Sequence, residues 1–206
     1  MGKVGLCGRH QERIWNGLRI DIEQTLELLK RGGVILYPTD TVWGIGCDAT
    51  DRTAVERIYA IKQRNEAKTM LVLVDGLDML SDYVEEVPDI ALKLMDEADK
   101  PLTIIYPKAK NLPDNLIADD GSIGIRIVNE PFCRLLIKSF GKPMVSTSAN
   151  ISGEPTPATF GEISGNIKAA VDYIVVWRQD DRKPSTASSI VQIRIDGSYV
   201  KLRQHK

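Results

Sequence analysis

Three hydroxyls and an amide crowd together in the segment VSTSAN, which spans residues 145–150. Ser146, Thr147, Ser148 and Asn150 offer small hydrogen-bond donors and acceptors at the end of a short apolar run. Such groups need partners when they are buried. This segment alone favours neither of two interpretations. In the first interpretation its side chains cap a turn. In the second they line a site for a polar ligand such as a metal-bound triphosphate.

Three cations occur in KQRNEAK, residues 62–68, at the predicted end of a helix. Lys62 and Arg64 are two positions apart, so they converge on one ligand only if the helix stops there. Arginine binds phosphate oxygens through two parallel hydrogen bonds, and lysine acts as a point charge. The pattern fits a phosphate site that includes Lys68. The commoner alternative is that the cations complement the dipole of the helix C-terminus.

The segment YPTDTVWGIG, residues 37–46, follows a predicted strand, and open α/β sheets usually bind ligands at such strand ends. Thr39, Asp40 and Thr41 supply small polar groups, and two glycines further on allow close backbone approach or a positive φ. The phosphate-loop patterns G-x-x-x-x-G-K-[ST] and G-x-G-x-x-G are missing. A polar turn explains the segment equally well.

Arg126 stands in the middle of the apolar run GIRIV, residues 124–128. A buried charge is costly unless it is paired. If this face of the strand lines a cleft, Arg126 could hold a substrate carboxylate through two hydrogen bonds. The alternative is an arginine that points outward from an exposed sheet face, and strand alternation alone slightly favours it.

Composition excludes several classes of site. The 206 residues are 43% hydrophobic and 27% charged, which is typical of one globular domain. A net charge of -1 and a pI near 6.2 give no general basic field for nucleic acid. The two histidines, His10 and His205, lie near the termini, so neither a Ser-His-Asp triad nor a histidine-ligated metal is expected. Three scattered cysteines form no C-x-x-C pair.

The sequence also carries no signal-peptide pattern and no run of about 20 apolar residues. We therefore expect a cytoplasmic protein without a membrane segment. Predicted helices and strands interleave, but several strands follow one another directly, which predicts one α/β domain over residues 1–206, with its core at about 20–203 and a mixed sheet between helices. The helices are predicted at 21–33, 52–64, 88–98 and 131–141. The strands are predicted at 34–38, 69–74, 102–107, 123–128, 143–146 and 171–177, with a hairpin across Asp196–Gly197.

Taken in order, five segments resemble one known family. These segments are GGVILYPTDTVWGIGCDA, AIKQRNEAKTMLVLV, PLTIIYP, GSIGIRIVNEPF and GKPMVSTSANISGEPTP. Together they are similar to the YrdC-type family of threonylcarbamoyl-adenylate synthases over roughly residues 25–200. The K-x-R and S-x-N pairs are short, and their occurrence with P-T-D-T and S-T-S-A-N at matching spacing makes the resemblance specific.

The resemblance implies a single twisted α/β domain with a concave, positively lined cleft. It implies an enzyme that turns ATP, L-threonine and bicarbonate into threonylcarbamoyl-adenylate and pyrophosphate, with Mg2+ held mainly by the ATP phosphates. It further implies separate threonylcarbamoyl-transferase proteins as partners, with tRNA as the final acceptor. Some family members also bind double-stranded RNA, so tRNA or double-stranded RNA is a further expected partner.

Residue roles follow from the same resemblance. Lys62, Arg64, Ser148 and Asn150 would surround the nucleotide phosphates as catalytic residues. Thr41 and Arg126 would meet the threonine substrate, with Ser146 on the same wall and Thr39 beside them. The remaining expected nucleotide-binding residues are Lys68, Ser185 and Thr186.

The chain departs from the family pattern at three places. Asn65 replaces the usual Pro after K-x-R, Lys100 takes the position of a Gly, and the segment 179–183 carries two aspartates in place of a Gly-rich stretch. Lys100 would be expected to crowd or recharge the cleft. Two alternatives therefore stay open: an RNA-binding or ribosome-associated paralogue without the synthase reaction, and a related carbamoyl-adenylate enzyme with another acceptor.

Overall fold

The computed structural model describes residues 5–64 and 70–204 of the chain. It contains six α-helices: α1 Gly5–Leu29, α2 Arg52–Lys62, α3 Leu77–Tyr83, α4 Asp89–Asp96, α5 Pro131–Phe140 and α6 Gly165–Ala170. Short 3-10 turns cover Asp114–Leu116 and Phe160–Glu162. Among the described residues, no helix combines the length and the apolar character needed to cross a bilayer.

Nine strands form one mixed sheet, which confirms the predicted α/β class. They are β1 Ile35–Tyr37, β2 Gly44–Gly46, β3 Leu71–Val74, β4 Leu102–Tyr106, β5 Ile123–Ile127, β6 Met144–Ser148, β7 Tyr173–Ile174, β8 Ser189–Ile193 and β9 Tyr199–Arg203. Their spatial order is β7-β1-β2-β6-β3-β5-β4-β8-β9. Three neighbouring pairs are parallel (β1 with β7, β3 with β5, β4 with β8), and the other five are antiparallel.

The two faces of the sheet are covered differently. Because side chains alternate along a strand, Val72 and Val74 of β3 pack with residues of α2 and α3 on one face. Leu73 points to the opposite face and packs with Phe132 and Leu136 of α5. On this second face α1 and α5 cover the side of the sheet near β1. The neighbouring strands β2, β6, β3, β5, β4 and β8 line an open concave surface.

Local signals explain where several elements begin and end. The carboxylate of Asp51 accepts hydrogen bonds from the amides of Thr53 and Ala54 and so caps the N-terminus of α2. Helix α5 begins with Pro131 and ends at Gly141, whose φ of 71° lies in the left-handed region that glycine tolerates. Gly197 takes φ 81° in the predicted turn between β8 and β9.

Several predictions about elements were inaccurate. Helix α1 begins at Gly5, well before the predicted start at residue 21, and helices α3 and α6 form where no element was predicted. Strand β2 lies inside a segment that the sequence predicted as loop, because two glycines in three residues hide its strand character. Strand β6 runs on to Ser148, so the hydroxyls of residues 146–148 belong to the strand itself. Strand β7 is limited to two residues of the predicted seven.

Candidate active site

A cavity of about 300 Å³ opens on the concave face of the sheet. Strands β2, β6, β3, β5, β4 and β8 contribute to its floor. Its polar lining consists of three arginines and eight hydroxyl side chains: Arg64, Arg126, Arg203, Thr41, Thr103, Ser122, Ser146, Thr147, Ser148, Thr156 and Ser188. Within the described part of the chain no carboxylate lines this cavity. A surface with this charge and these donors suits an anionic ligand.

Arg126 is buried at the floor of the cavity, on strand β5. Its side chain is 3% exposed, so the outward-facing alternative is wrong. Nη2 lies 3.1 Å from Oδ1 of Asp40 and donates a hydrogen bond to the hydroxyl of Thr41 at 3.2 Å. Nε is buried and has no hydrogen-bond partner among the described residues. A planar cation with an unused donor could donate hydrogen bonds to the two oxygens of a carboxylate.

The loop between β1 and β2 holds this arginine from one side. The Thr39 hydroxyl accepts a hydrogen bond from the Thr41 amide at 3.0 Å, lies 2.9 Å from the Thr41 hydroxyl, and donates to the carbonyl of Val42 at 2.7 Å. Thr41 therefore faces the cavity, and Thr39 lies behind it as a support. The structure brings Thr41, Arg126 and Ser146 together on one wall.

Gly44 keeps this wall open. It lines the cavity, and a Cβ atom there would stand 3.0 Å from the hydroxyl of Ser146. Its φ does not lie in the left-handed region, so the reason for glycine is close approach and not an unusual turn. Any larger side chain would press on the Ser146 hydroxyl that faces the ligand space.

Lys62 and Arg64 point in different directions because the helix ends between them. Gln63 adopts the left-handed conformation, with φ 49°, and closes α2. Arg64 then lines the cavity. Burial lowers the pKa of its guanidinium.

The Lys62 side chain lies behind the cavity wall and is 1% exposed. Its ammonium donates hydrogen bonds to the carbonyls of Ser148 at 2.5 Å and of Asn150 at 2.7 Å. Burial, and secondarily the charge of Arg64, lower the pKa of Lys62 to about 8. Lys62 thus holds the turn that follows β6.

Asn150 supports the same turn. Its side-chain amide donates to the carbonyls of Ile151 and Glu154, and its Oδ1 is buried with no hydrogen-bond partner among the described residues. Ser148 lies on the cavity side of the turn. The S-x-N pair therefore divides into one residue at the cavity and one behind it.

The other predicted residues lie further away or cannot be placed. Lys68 and Asn65 fall outside the described residues. Ser185 and Thr186 do not line the cavity, although their neighbours Ala187 and Ser188 do. The Ser185 amide donates to the carbonyl of Ala158. The two residues therefore border the cavity wall without forming it.

Lys100 does not line this cavity, so it does not crowd it. Lys100 lines two other cavities, one of about 400 Å³ beneath α4 and one at the β8–β9 edge. The larger of these has mainly apolar walls on the helix-covered face of the sheet. None of the ten predicted site residues that the structure describes lines it. We place the site in the cavity of about 300 Å³, because its arginines and hydroxyls can bind an anionic ligand.

Arg203 is a cavity residue that the sequence analysis missed. It lies at the end of β9, and its guanidinium donates to the carbonyl of Ser188 at 2.8 Å. Partial burial, and then the charge of Arg126, lower its pKa. The signal was weak, because an arginine in an alternating edge strand usually faces solvent.

Comparisons with known proteins identify the family to which the chain is similar. The family model Sua5_yciO_yrdC, described as "Telomere recombination", matches residues 27–205. The chain is 37% identical over 157 residues to the threonylcarbamoyl-AMP synthase of Pseudoalteromonas translucida, which covers 75% of this chain and 84% of that protein. It is 32% identical over 165 residues to the enzyme of the same name from Vibrio cholerae, covering 79% and 88%.

Two solved structures place the fold. The crystal structure of E. coli YciO superposes with a TM-score of 0.78 at 29% identity, covering 91% of this chain and 90% of that one. The structure of P. abyssi Sua5 complexed with L-threonine superposes with a TM-score of 0.78 at 24% identity and shows the fold alone. That match includes 89% of the present chain, which spans about half, 54%, of the Sua5 chain. By the extent of the family match and the identity to these relatives, the chain belongs to the Sua5/YciO/YrdC family.

Proposed function

We propose that this protein is an L-threonylcarbamoyladenylate synthase, a nucleotidyltransferase that converts ATP, L-threonine and bicarbonate into threonylcarbamoyl-AMP, pyrophosphate and water. The observation that carries the proposal is the cavity lined by three arginines and eight hydroxyls, without a carboxylate among its described lining residues. The names of the Pseudoalteromonas and Vibrio relatives support the same reaction.

The chemistry suits a site without histidine. Bicarbonate takes up a proton and loses water to give CO2. The threonine amine then adds to CO2, forming a carbamate and releasing a proton. A carbamate oxygen then attacks the α-phosphorus of ATP, and the bond from that phosphorus to the pyrophosphate oxygen breaks. This step depends on positioning and on stabilising phosphate charge more than on a strong base. Arginines and hydroxyls provide both.

Each part of the cavity has a role in this proposal. Arg126 binds the threonine carboxylate through its unused Nε and its terminal nitrogens, and Thr41 and Ser146 contact the rest of the amino acid. Arg64 and Arg203 neutralise the ATP phosphates, and Ser148 donates to them. Lys62 and Asn150 were expected among the catalytic, phosphate-surrounding residues, and Thr39 beside the threonine. In this proposal all three instead support the wall from behind. Lys68, Ser185 and Thr186 keep their expected nucleotide contacts.

Mg2+ enters this scheme with ATP. Among residues 5–64 and 70–204 no group of three His, Cys, Asp or Glu side chains is arranged to hold a metal ion. Mg2+ commonly binds substrate phosphates together with few protein oxygens. We therefore assign Mg2+ to the substrate MgATP, in which it neutralises phosphate charge.

The product would serve threonylcarbamoyl-transferase proteins that modify tRNA, and we expect this to take place in the cytoplasm. Direct binding of tRNA or double-stranded RNA stays a prediction. Affinity for RNA that falls steeply with salt would support it.

The test is pyrophosphate release from MgATP and bicarbonate with and without L-threonine. We expect threonine-dependent release in the wild type. Arg126→Lys should raise the KM for threonine roughly 10- to 100-fold, because lysine cannot form the two parallel bonds to a carboxylate. Arg64→Ala should raise the KM for ATP instead.

Lys100→Ala is the matched control, since it removes an exposed cation that lies outside the cavity, and we expect wild-type kinetics. Release that is indifferent to threonine would point to a carbamoyl-adenylate enzyme with another acceptor. No release from folded protein would refute the proposal and favour the RNA-binding alternative.

A further inference from the structure

Arg178 lies just after β7 and reaches across to the loop that carries Thr39 and Thr41. Its backbone has φ 65°, in the left-handed region that residues other than glycine seldom adopt. Its side chain is 30% exposed. No sequence motif marks this arginine, and it does not line the cavity.

The guanidinium of Arg178 contacts three groups at once. Nη1 donates a hydrogen bond to the carbonyl of Thr39 at 3.0 Å and lies 3.7 Å from Oε1 of Glu130. On the other side, Nε and Nη2 lie 3.1 Å and 3.0 Å from Oδ2 of Asp181. A planar guanidinium with acceptors on two sides has a fixed orientation.

The segment that carries Arg178 is itself anchored to the helices. The buried carboxylate of Asp21, on α1, accepts hydrogen bonds from the amides of Val176 at 3.0 Å and of Trp177 at 2.7 Å. The indole of Trp177 donates to Glu130 at 3.0 Å. Because Glu130 also caps α5 through the amide of Cys133, the base from which Arg178 extends is fixed at both ends.

The peptide that Arg178 holds leads directly to the groups around Arg126. Asp40 follows Thr39 and forms the ion pair with Arg126, and Thr41 accepts the hydrogen bond from the same guanidinium. The Thr39 hydroxyl also fixes the Thr41 amide. A shift of the Thr39 peptide would therefore move both partners of Arg126 together.

We propose that Arg178 is a positioning residue for the threonine subsite, which it fixes through the Thr39 carbonyl while Asp181 orients its guanidinium. The proposal rests on the proposed synthase function for its effect on threonine. It also gives the acidic segment 179–183 a use: the charge of Asp181 is directed to Arg178 and not into the cavity.

The test compares Arg178→Ala and Arg178→Lys with the wild type, using pyrophosphate release at varied threonine and then at varied ATP. Arg178→Ala should raise the KM for threonine roughly tenfold, the size expected for losing one charge-assisted hydrogen bond, with the KM for ATP changed less than about twofold. Arg178→Lys keeps one donor for Thr39 and should recover part of the loss.

Amide hydrogen exchange over residues 39–43 of the ligand-free protein gives a readout that needs no activity. Exchange there should be faster in Arg178→Ala and less affected in Arg178→Lys. Arg182→Ala, which removes an exposed arginine four positions away, is the matched control and should match the wild type in both assays.

Unchanged exchange over residues 39–43 in folded Arg178→Ala would overturn the inference. Equal rises in the KM values for threonine and ATP would overturn it as well, because they indicate a general loss of structure. A wild type that lacks threonine-dependent release would instead refute the synthase function. The exchange data would then still decide whether Arg178 positions this loop.

Discussion

Two buried cations of this protein have different surroundings. Lys62 donates to two backbone carbonyls and has no carboxylate partner among the described residues. Arg126 pairs with Asp40 and retains a buried Nε without a partner in the described structure. A buried donor without a partner is unfavourable, so its presence at a cavity floor indicates a place for a ligand. The carbonyl-bound lysine instead indicates support for a turn.

The lowered pKa of Lys62 predicts how the stability of the protein depends on pH. Its pKa of about 8 in the folded protein lies below the value near 10.4 typical of an unfolded chain. Between these values the unfolded state binds more protons, so stability should rise with pH. The free energy of unfolding of the wild type minus that of Lys62→Met should increase by about 1.4 kcal/mol per pH unit from pH 8 to 10.

Urea titrations of both proteins at pH 7, 8, 9 and 10 measure this difference. Other tyrosines and cysteines titrate in both proteins and cancel. The difference should be flat below pH 8, where the lysine is charged in both states. A difference that falls with pH would mean that the hydrogen bonds to the carbonyls keep Lys62 charged.

The short strand β2 connects two parts of the site. Its three residues join β1 to β6, pairing Gly46 with Ile35 on one side and Gly44 with Ser148 on the other. Through this strand the Thr39–Thr41 loop and the hydroxyls of β6 share one framework. Both ends of the strand are glycines, and each glycine allows neighbouring atoms to approach its backbone closely.

Gly46→Ala should destabilise the protein by about 1–3 kcal/mol, the usual cost of overpacking a core. The new methyl group would collide with the carbonyl of Val145 and stand 2.6 Å from Cε1 of Tyr37. It would also disturb the hydrogen bond that joins these two residues, from the Tyr37 hydroxyl to the Val145 carbonyl. Denaturant unfolding measures the change.

Gly17→Ala is the matched control for this substitution. Gly17 lies in helix α1, and nothing stands within 4 Å of its would-be methyl group. Alanine there should be neutral or stabilise by up to about 1 kcal/mol through helix propensity. Equal effects of the two substitutions would contradict the close approach at Gly46.

Over the whole molecule, charge is distributed unevenly although it nearly cancels. The net charge is -1, yet the polar groups that line the concave cavity are arginines and hydroxyls. The carboxylates of Asp40 and Asp181 pair with Arg126 and Arg178, and neither lines the cavity. An anionic substrate would therefore meet a positive field in this cavity.

Ligand binding should therefore stabilise the whole chain. The predicted single domain over residues 1–206 should unfold in one transition. MgATP at about 100 times its Kd should add about 2.7 kcal/mol, which raises the Tm by roughly 5–10 °C for a chain of this size. Thermal unfolding with and without MgATP measures both. Two separate transitions, or no shift with MgATP, would contradict this expectation.

Much of the fold could be predicted because the signals are local. The Asp51 cap, the Pro131 start and Gly141 end of α5, and the Asp196–Gly197 turn depend on residues a few positions apart. The grouping of Thr41, Arg126 and Ser146 could be predicted by resemblance, since each stands in a recognisable segment.

The direction of each side chain was decided by the tertiary structure. Lys62 meets carbonyls 86 and 88 positions away, Arg178 meets Thr39 across 139 positions, and Arg203 reaches a cavity built largely from strands far earlier in the chain. Such contacts depend on which strands become neighbours and which face each residue takes. The sequence by itself determined which chemical groups were available, and the packing of the sheet determined which of them could meet one ligand.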